Sequence, residues 1–148
     1  MKDDLQSWGI TLLRLAIGGI FVAHGSQKLF IYGRSGVTGA MAHMGIPFPA
    51  ISAVLATLTE FVGGIALLLG LFTRLAALPV AFAMFVALAK VHFKGGFFLP
   101  MGYEYVLTLM LANIALALTG PGAFALDNLL AKRAPQRARR QFASAEAA

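Results

Sequence analysis

Ionisable side chains are scarce in this sequence and four of them interrupt apolar runs: Arg14, His24, Glu60 and Glu104. A bare carboxylate at mid-bilayer costs at least about 2.5–3.5 kcal/mol, so Glu60 is expected to face a protein interior, hold a proton or pair with a cation. Glu60 and His24 are the candidates for proton exchange. At 100° per residue, Arg14, Gly18, Phe21, His24, Gly25 and Lys28 share an arc of about 120° on one helix. Ala53, Ala56, Thr57, Glu60, Gly63, Gly64, Leu67 and Arg74 share a face of the next, and its small residues permit close helix approach. At 1.5 Å per residue, His24 and Glu60 lie about 9 and 13 Å from the same ends of their helices. An antiparallel pair is therefore expected to bring Glu60 within reach of His24 or Lys28. Lys28, Lys90, His92, Lys94 and Glu104 belong to that same side, where a polar, net-basic pocket is expected.

The elements that position these residues are apolar runs at 8–31, 51–72, 75–91 and 103–119, each near the roughly 20 residues that a spanning helix needs. Hydrophobic residues make up 59% of the chain and charged ones 12%, about half the charge of a soluble domain. The expected fold is an all-α membrane protein: one four-transmembrane-helix bundle over residues 1–130, with a short interfacial helix, Val37 to Met44, between helices 1 and 2. Pro79 is expected in the first turns of the third run, and Gly120-Pro121-Gly122 to stop the fourth. Residues 131–148, rich in Ala, Arg and Gln, read as a basic, disordered cytoplasmic tail against anionic lipid.

The net charge of +6 does not mark a nucleic-acid binder, because the basic residues sit at helix ends and in the tail. There is no cysteine, so no dithiol or thiolate-bound cluster is available. The first run has no small-residue cleavage pattern and keeps Arg14, which favours a retained helix over a signal peptide. Met41, His43 and Met44 have soft-ligand character without a second cluster to complete a copper site, and a haem between His24 and His92 needs a common depth that they lack. No metal or haem is expected.

Bland readings accompany these residues. Arg14 and Arg74 fit snorkelling or capping near helix ends, Glu60 with Lys28 or His24 fits packing glue, and Glu104 fits a helix N-terminal carboxylate. Asn113 points away from the face shared by Glu104, Thr108, Leu111, Ala115 and Thr119.

Taken in order, Arg14-x9-His24-Gly25-x2-Lys28-Leu29, Glu60-x2-Gly63-Gly64-x5-Gly70-x3-Arg74, Gly102-x-Glu104-Tyr105 and Gly120-Pro121-Gly122-x4-Asp127 resemble the DoxX family across residues 9–130. The resemblance implies a four-helix bundle in the bacterial cytoplasmic (inner) membrane. It also implies work as a quinone-linked oxidoreductase subunit, or as a membrane anchor in thiol and oxidative-stress complexes. The motif positions Arg14, His24, Lys28, Glu60, Arg74, Glu104 and Asp127 carry over; the soluble domain of some thiosulfate-linked relatives has no counterpart here, which argues against thiosulfate.

A quinone head group needs an apolar slot, donors to its carbonyl oxygens and a proton route. The expected quinone-binding set is Arg14, Phe21, His24, Lys28, Glu60, Phe61, Leu67 and Glu104, with Gly63, Gly64, Arg74, Gly120, Pro121, Gly122 and Asp127 as structural positions. The electron donor is expected to be a redox partner or a diffusible reductant. Lipid and a second copy of the chain are the other expected partners. Two alternatives remain at this point: a non-enzymatic anchor or assembly factor, and a binder or transporter of a small molecule or anion.

Counting Lys and Arg orients the chain. Lys2, Arg74, Lys132, Arg133, Arg137, Arg139 and Arg140 fall on the side of the termini, against Lys28, Arg34, Lys90 and Lys94 opposite, so both termini are expected in the cytoplasm. In intact spheroplasts, Ser35→Cys should react with an impermeant thiol reagent and Ser144→Cys only after lysis. The reverse pattern would invert the topology.

Overall fold

The computed structural model describes residues 2–132, and the tail from 133 onward lies outside them. Helices make up the secondary structure of the described residues: α1 (Lys2–Ser26), a π-helical turn (Gln27–Tyr32), α2 (Gly33–His43), α3 (Pro49–Leu69), α4 (Thr73–Ala87), a second π-helical turn (Leu88–His92), a short 3-10 turn (Phe93–Gly95) and α5 (Glu104–Thr119). A further helix, α6, covers 126–132. Three stretches are long and apolar enough to cross a membrane: Asp4–His43, Pro49–Leu69 and Thr73–Gly95. The fourth apolar helix, α5, has 16 residues, about 24 Å of helix at 1.5 Å per residue.

Boundaries follow local chemistry. Pro49 starts α3, where its missing N–H would be unpaired in any case. Gly70 ends it in the left-handed conformation (φ +64°), its N–H bonded back to Leu67 O at 3.1 Å. A side chain at Gly70 would also strike Ala125 and the Arg14 guanidinium. Asp127 caps α4 from outside, accepting from Phe72 N at 2.7 Å and Thr73 N at 2.9 Å. Its negative charge there complements the positive end of the helix dipole. Because α4 begins at Thr73, Pro79 falls in its second turn, inside the helix. It removes one backbone bond, which the helix tolerates.

The helix expected between the first two spans is present as α2, starting at Gly33, four residues earlier than Val37. Helical structure continues from α1 through the π turn into α2, and the break falls at Gly33, whose φ of +63° suits only glycine without strain. Val37 and Met41 of α2 are buried against Ala53 of α3, so α2 leans on the start of α3. Met41 thus serves packing.

In the bundle, α1 packs on α3 and α5, and α4 on the same two helices. Ile17, Phe21, Leu67, Val80, Met84, Leu109 and Leu116 fill the centre. Leu12, Leu58, Val62, Phe82, Phe85 and Leu118 are exposed on the outside, as suits a lipid-facing wall.

Glycines set the distance between α1 and α3. A Cβ at Gly25 would lie 2.6 Å from the Phe61 backbone, and one at Gly64 would lie 2.7 Å from Val22 N. Gly63 meets Val80 of α4 in the same way, at 2.8 Å. Gly19 of α1 has open space instead. Gly25→Ala should destabilise the protein by about 1–3 kcal/mol through overpacking, while Gly19→Ala should be neutral or stabilising by about 0.5–1 kcal/mol from helix propensity. Unfolding of both purified variants in mixed micelles checks the contrast; equal behaviour would mean that the α1–α3 crossing is looser than described.

Candidate functional site

The polar residues divide between the two ends of the bundle. At the end carrying the start of α1, Arg14 is only 1% exposed. Its Nη1 donates to Leu67 O and Leu68 O, each at 2.7 Å, and its Nε donates to Pro121 O at 2.9 Å. Its Nη2 adds longer bonds of 3.4 Å to Ala123 O and Phe124 O. These carbonyls belong to the last turn of α3 and the segment before α6, groups that have no helical partner of their own. Thr11 Oγ1 sits 2.9 Å from Ala123 O, Asn128 Nδ2 donates to Gly122 O, and Arg74 reaches Thr119 O. Gly122 is close enough to Ser7 O that a Cβ would collide. This end is a structural knot, and Arg14 does not snorkel.

At the opposite end, Lys28 Nζ pairs with Glu60 Oε1. Glu60 is 5% exposed, and its second oxygen, Oε2, is buried with no partner among the described residues. Lys28 stands in the π turn. The extra residue per turn re-phases the helix after Ser26, so that Lys28, Leu29, Gly33, Arg34 and Val37 together face Ala53, Val54, Thr57 and Leu58 of α3. Between them lies a mainly apolar groove of about 300 Å³. Lys28 links its wall to the buried carboxylate.

The structure thus gathers Lys28 and Glu60 from the expected set and separates the others. His24 is exposed on α1 and has no bond to Glu60; Lys28, one turn further on, takes that place. Arg14 is fourteen residues from Lys28, about 21 Å along the helix. Phe21 and Leu67 belong to the central core. Phe61 packs on Gly25 and against the ring of Phe30, 6.3 Å between centroids. Glu104 closes its own loop, accepting from Leu99 N at 2.8 Å, and does not line the groove. The single pocket uniting His24, Lys28 and Glu104 is therefore replaced by a groove between α1–α2 and α3.

In the sequence Arg34 counts only as an orienting charge, and Asn113 points away from the face of Glu104 and Thr108, as the structure also has it. Asn113 is fully buried, its Nδ2 bonded to Leu109 O at 2.8 Å and its Oδ1 unpartnered among the described residues. The spacing Val106, Leu109, Asn113, Leu116 is the signal that marks this buried face.

Comparison with known proteins gives a consistent relationship. The family profile described as DoxX matches residues 9–93. A Bacillus subtilis protein named "Putative oxidoreductase CatD" is 33% identical over 125 residues, spanning 84% of this chain and 88% of its own length. The Escherichia coli inner membrane protein YqjF is 35% identical over 131 residues, spanning 87% and 97%. The inner membrane protein YphA of the same organism is 32% identical over 124 residues, spanning 80% and 87%. No solved structure matches the chain.

The ion pair makes a quantitative expectation. Lys28→Met strands a buried carboxylate and Glu60→Gln strands an ammonium, whereas the double variant strands neither charge. The double should be less destabilised than the sum of the singles by about 0.5–3 kcal/mol. Replacing Lys28 with His24 in the cycle, as His24→Ala with Glu60→Gln, should give additive effects. Coupling through His24 and none through Lys28 would overturn the pairing described here.

Proposed function

Because this chain belongs to the DoxX family of membrane proteins, we propose that it takes part in quinone- or quinol-linked redox chemistry in the bacterial inner membrane, with the groove between α1–α2 and α3 as its binding site. The observation that carries this reading is the pair of half-buried Lys28 and buried Glu60 at the groove wall, with one carboxylate oxygen that has no partner among the described residues. The relatives named as inner membrane proteins support the location, and the one named as an oxidoreductase supports the class of chemistry. The basic excess on the side of the termini supports a cytoplasmic start and end, with the groove toward the opposite face.

The groove residues suit a quinone head group. Leu29, Val37, Ala53, Val54 and Leu58 offer an apolar slot open to lipid, the kind of site that binds a ring with a few oriented polar contacts. Lys28 has three N–H donors and uses one on Glu60, which leaves two for a carbonyl oxygen. A bound quinone supplies the two-electron, two-proton acceptor. Glu60 Oε2 faces the site as the acceptor through which a proton can be exchanged with a bound ring, and Lys28 holds the other oxygen in place. Closely packed apolar walls limit water at that exchange. With no cysteine in the chain, the reducing equivalents come from a partner subunit or a diffusible reductant. The role is that of a membrane subunit within a larger redox system.

Purified full-length protein in nanodiscs tests the reading through its extractable quinone. Wild type should carry quinone at near one per chain, and Lys28→Met should lose at least tenfold in affinity. Glu60→Gln should remain folded and still bind, yet lose proton-coupled reduction in membranes supplied with a reductant. Quinone at only the bulk lipid ratio would leave the groove as packing and favour an anchor role.

A further inference from the structure

The groove carries a positive charge that no acidic side chain among the described residues is shown to neutralise. Of the six acidic residues in the sequence, Glu60 is engaged by Lys28, Glu104 holds its own loop at Leu99, and Asp127 caps α4. Asp3 and Asp4 stand in the first turn of α1, some 36 Å along the helix from Lys28 at 1.5 Å per residue. Glu146 lies outside the described residues. The Lys28–Glu60 pair is neutral as a unit, so the remaining charge in the groove is the exposed guanidinium of Arg34, at the first turn of α2.

Arg34 has no acid partner among the described residues, and it shares the groove with Leu29, Val37, Val54 and Leu58. A planar fork of N–H donors beside an apolar slot matches an oxyanion attached to a flat ring. Near lipid the attraction is screened less than in bulk water. A neutral ring gains from the slot but leaves the guanidinium unmatched; an acidic ring uses both.

We propose that Arg34 is a specificity-determining residue that makes the groove prefer a redox ring bearing an acidic group, such as a sulfonate, a carboxylate or an ionised hydroxyl, over its neutral counterpart. The inference rests on the quinone reading of the site for the ring, and on Arg34 alone for the charge. Specificity here is a ratio of affinities, and removing Arg34 should change that ratio.

Three probes in zwitterionic nanodiscs test it by equilibrium dialysis: anthraquinone-2-sulfonate, the neutral anthraquinone-2-sulfonamide, and naphthalene-2-sulfonate, which has the charge but no quinone. Wild type should bind the quinone sulfonate at least tenfold tighter than the sulfonamide. Arg34→Gln should bring that ratio to near one, and Arg34→Lys should retain part of it. Arg34 is exposed, so these variants are expected to fold, and their circular dichroism should match wild type. Equal wild-type affinity for the two quinones, or a ratio unchanged by Arg34→Gln, overturns the inference and leaves the quinone reading standing. Naphthalene-2-sulfonate binding as tightly as the quinone sulfonate supports the anion preference and defeats the ring assignment. Binding of no probe defeats both.

Discussion

In hydrocarbon no water is at hand to satisfy a polar group, and the bundle depends on how Arg14 meets that constraint. Its guanidinium gathers carbonyls from the end of α3 and from the segment leading into α6. Those carbonyls are the ones a helix end or an irregular turn leaves without partners. One side chain thereby joins three parts of the chain and fixes the height of α1 against α3. Asp127 extends the same end by capping α4, and Gly70 must lack a side chain for both contacts to form.

That fixed height is passed along the α1–α3 contact to the other end. Gly18, Gly25 and Gly64 bring the two backbones together without intervening side chains, so a register set at Arg14 is kept at Lys28. Glu60 is then presented to Lys28 and withheld from lipid. The pair alone is weak grounds for stability, since desolvation offsets much of the attraction between buried charges. Its second oxygen, without a partner among the described residues, is what separates it from simple packing glue, because a buried acceptor left unmatched carries a penalty that a structural pair would avoid.

Much of this was legible in the sequence. Apolar run length located the helices, and a carboxylate in the middle of one singled out Glu60. Depth along antiparallel helices brought Glu60 near His24 or Lys28, but a helical wheel could not choose between them, since both fall on the same broad arc. Packing against α3 makes the choice, and the π turn after Ser26 changes the phase that the wheel assumes. For the same reason Arg34 and Val37 were not expected beside Thr57. The opposition of Asn113 to the Glu104–Thr108 face of α5 is legible in the sequence, and the apolar series around Asn113 is the face that turns inward. A helix-end role for Arg14 is legible, but the identity of its acceptors is not, because they are backbone carbonyls more than fifty residues away and a side-chain pattern cannot show them.

The central claim is that the groove between α1–α2 and α3 is where a quinone binds. Photolabelling of the full-length protein in nanodiscs with an azidoquinone, followed by mass spectrometry of the peptides, addresses it directly. Labels should concentrate on residues 28–37 and 53–58 and be competed away by unlabelled quinone. Labels spread over the lipid-facing residues of α4 and α5, insensitive to competitor, would contradict the account.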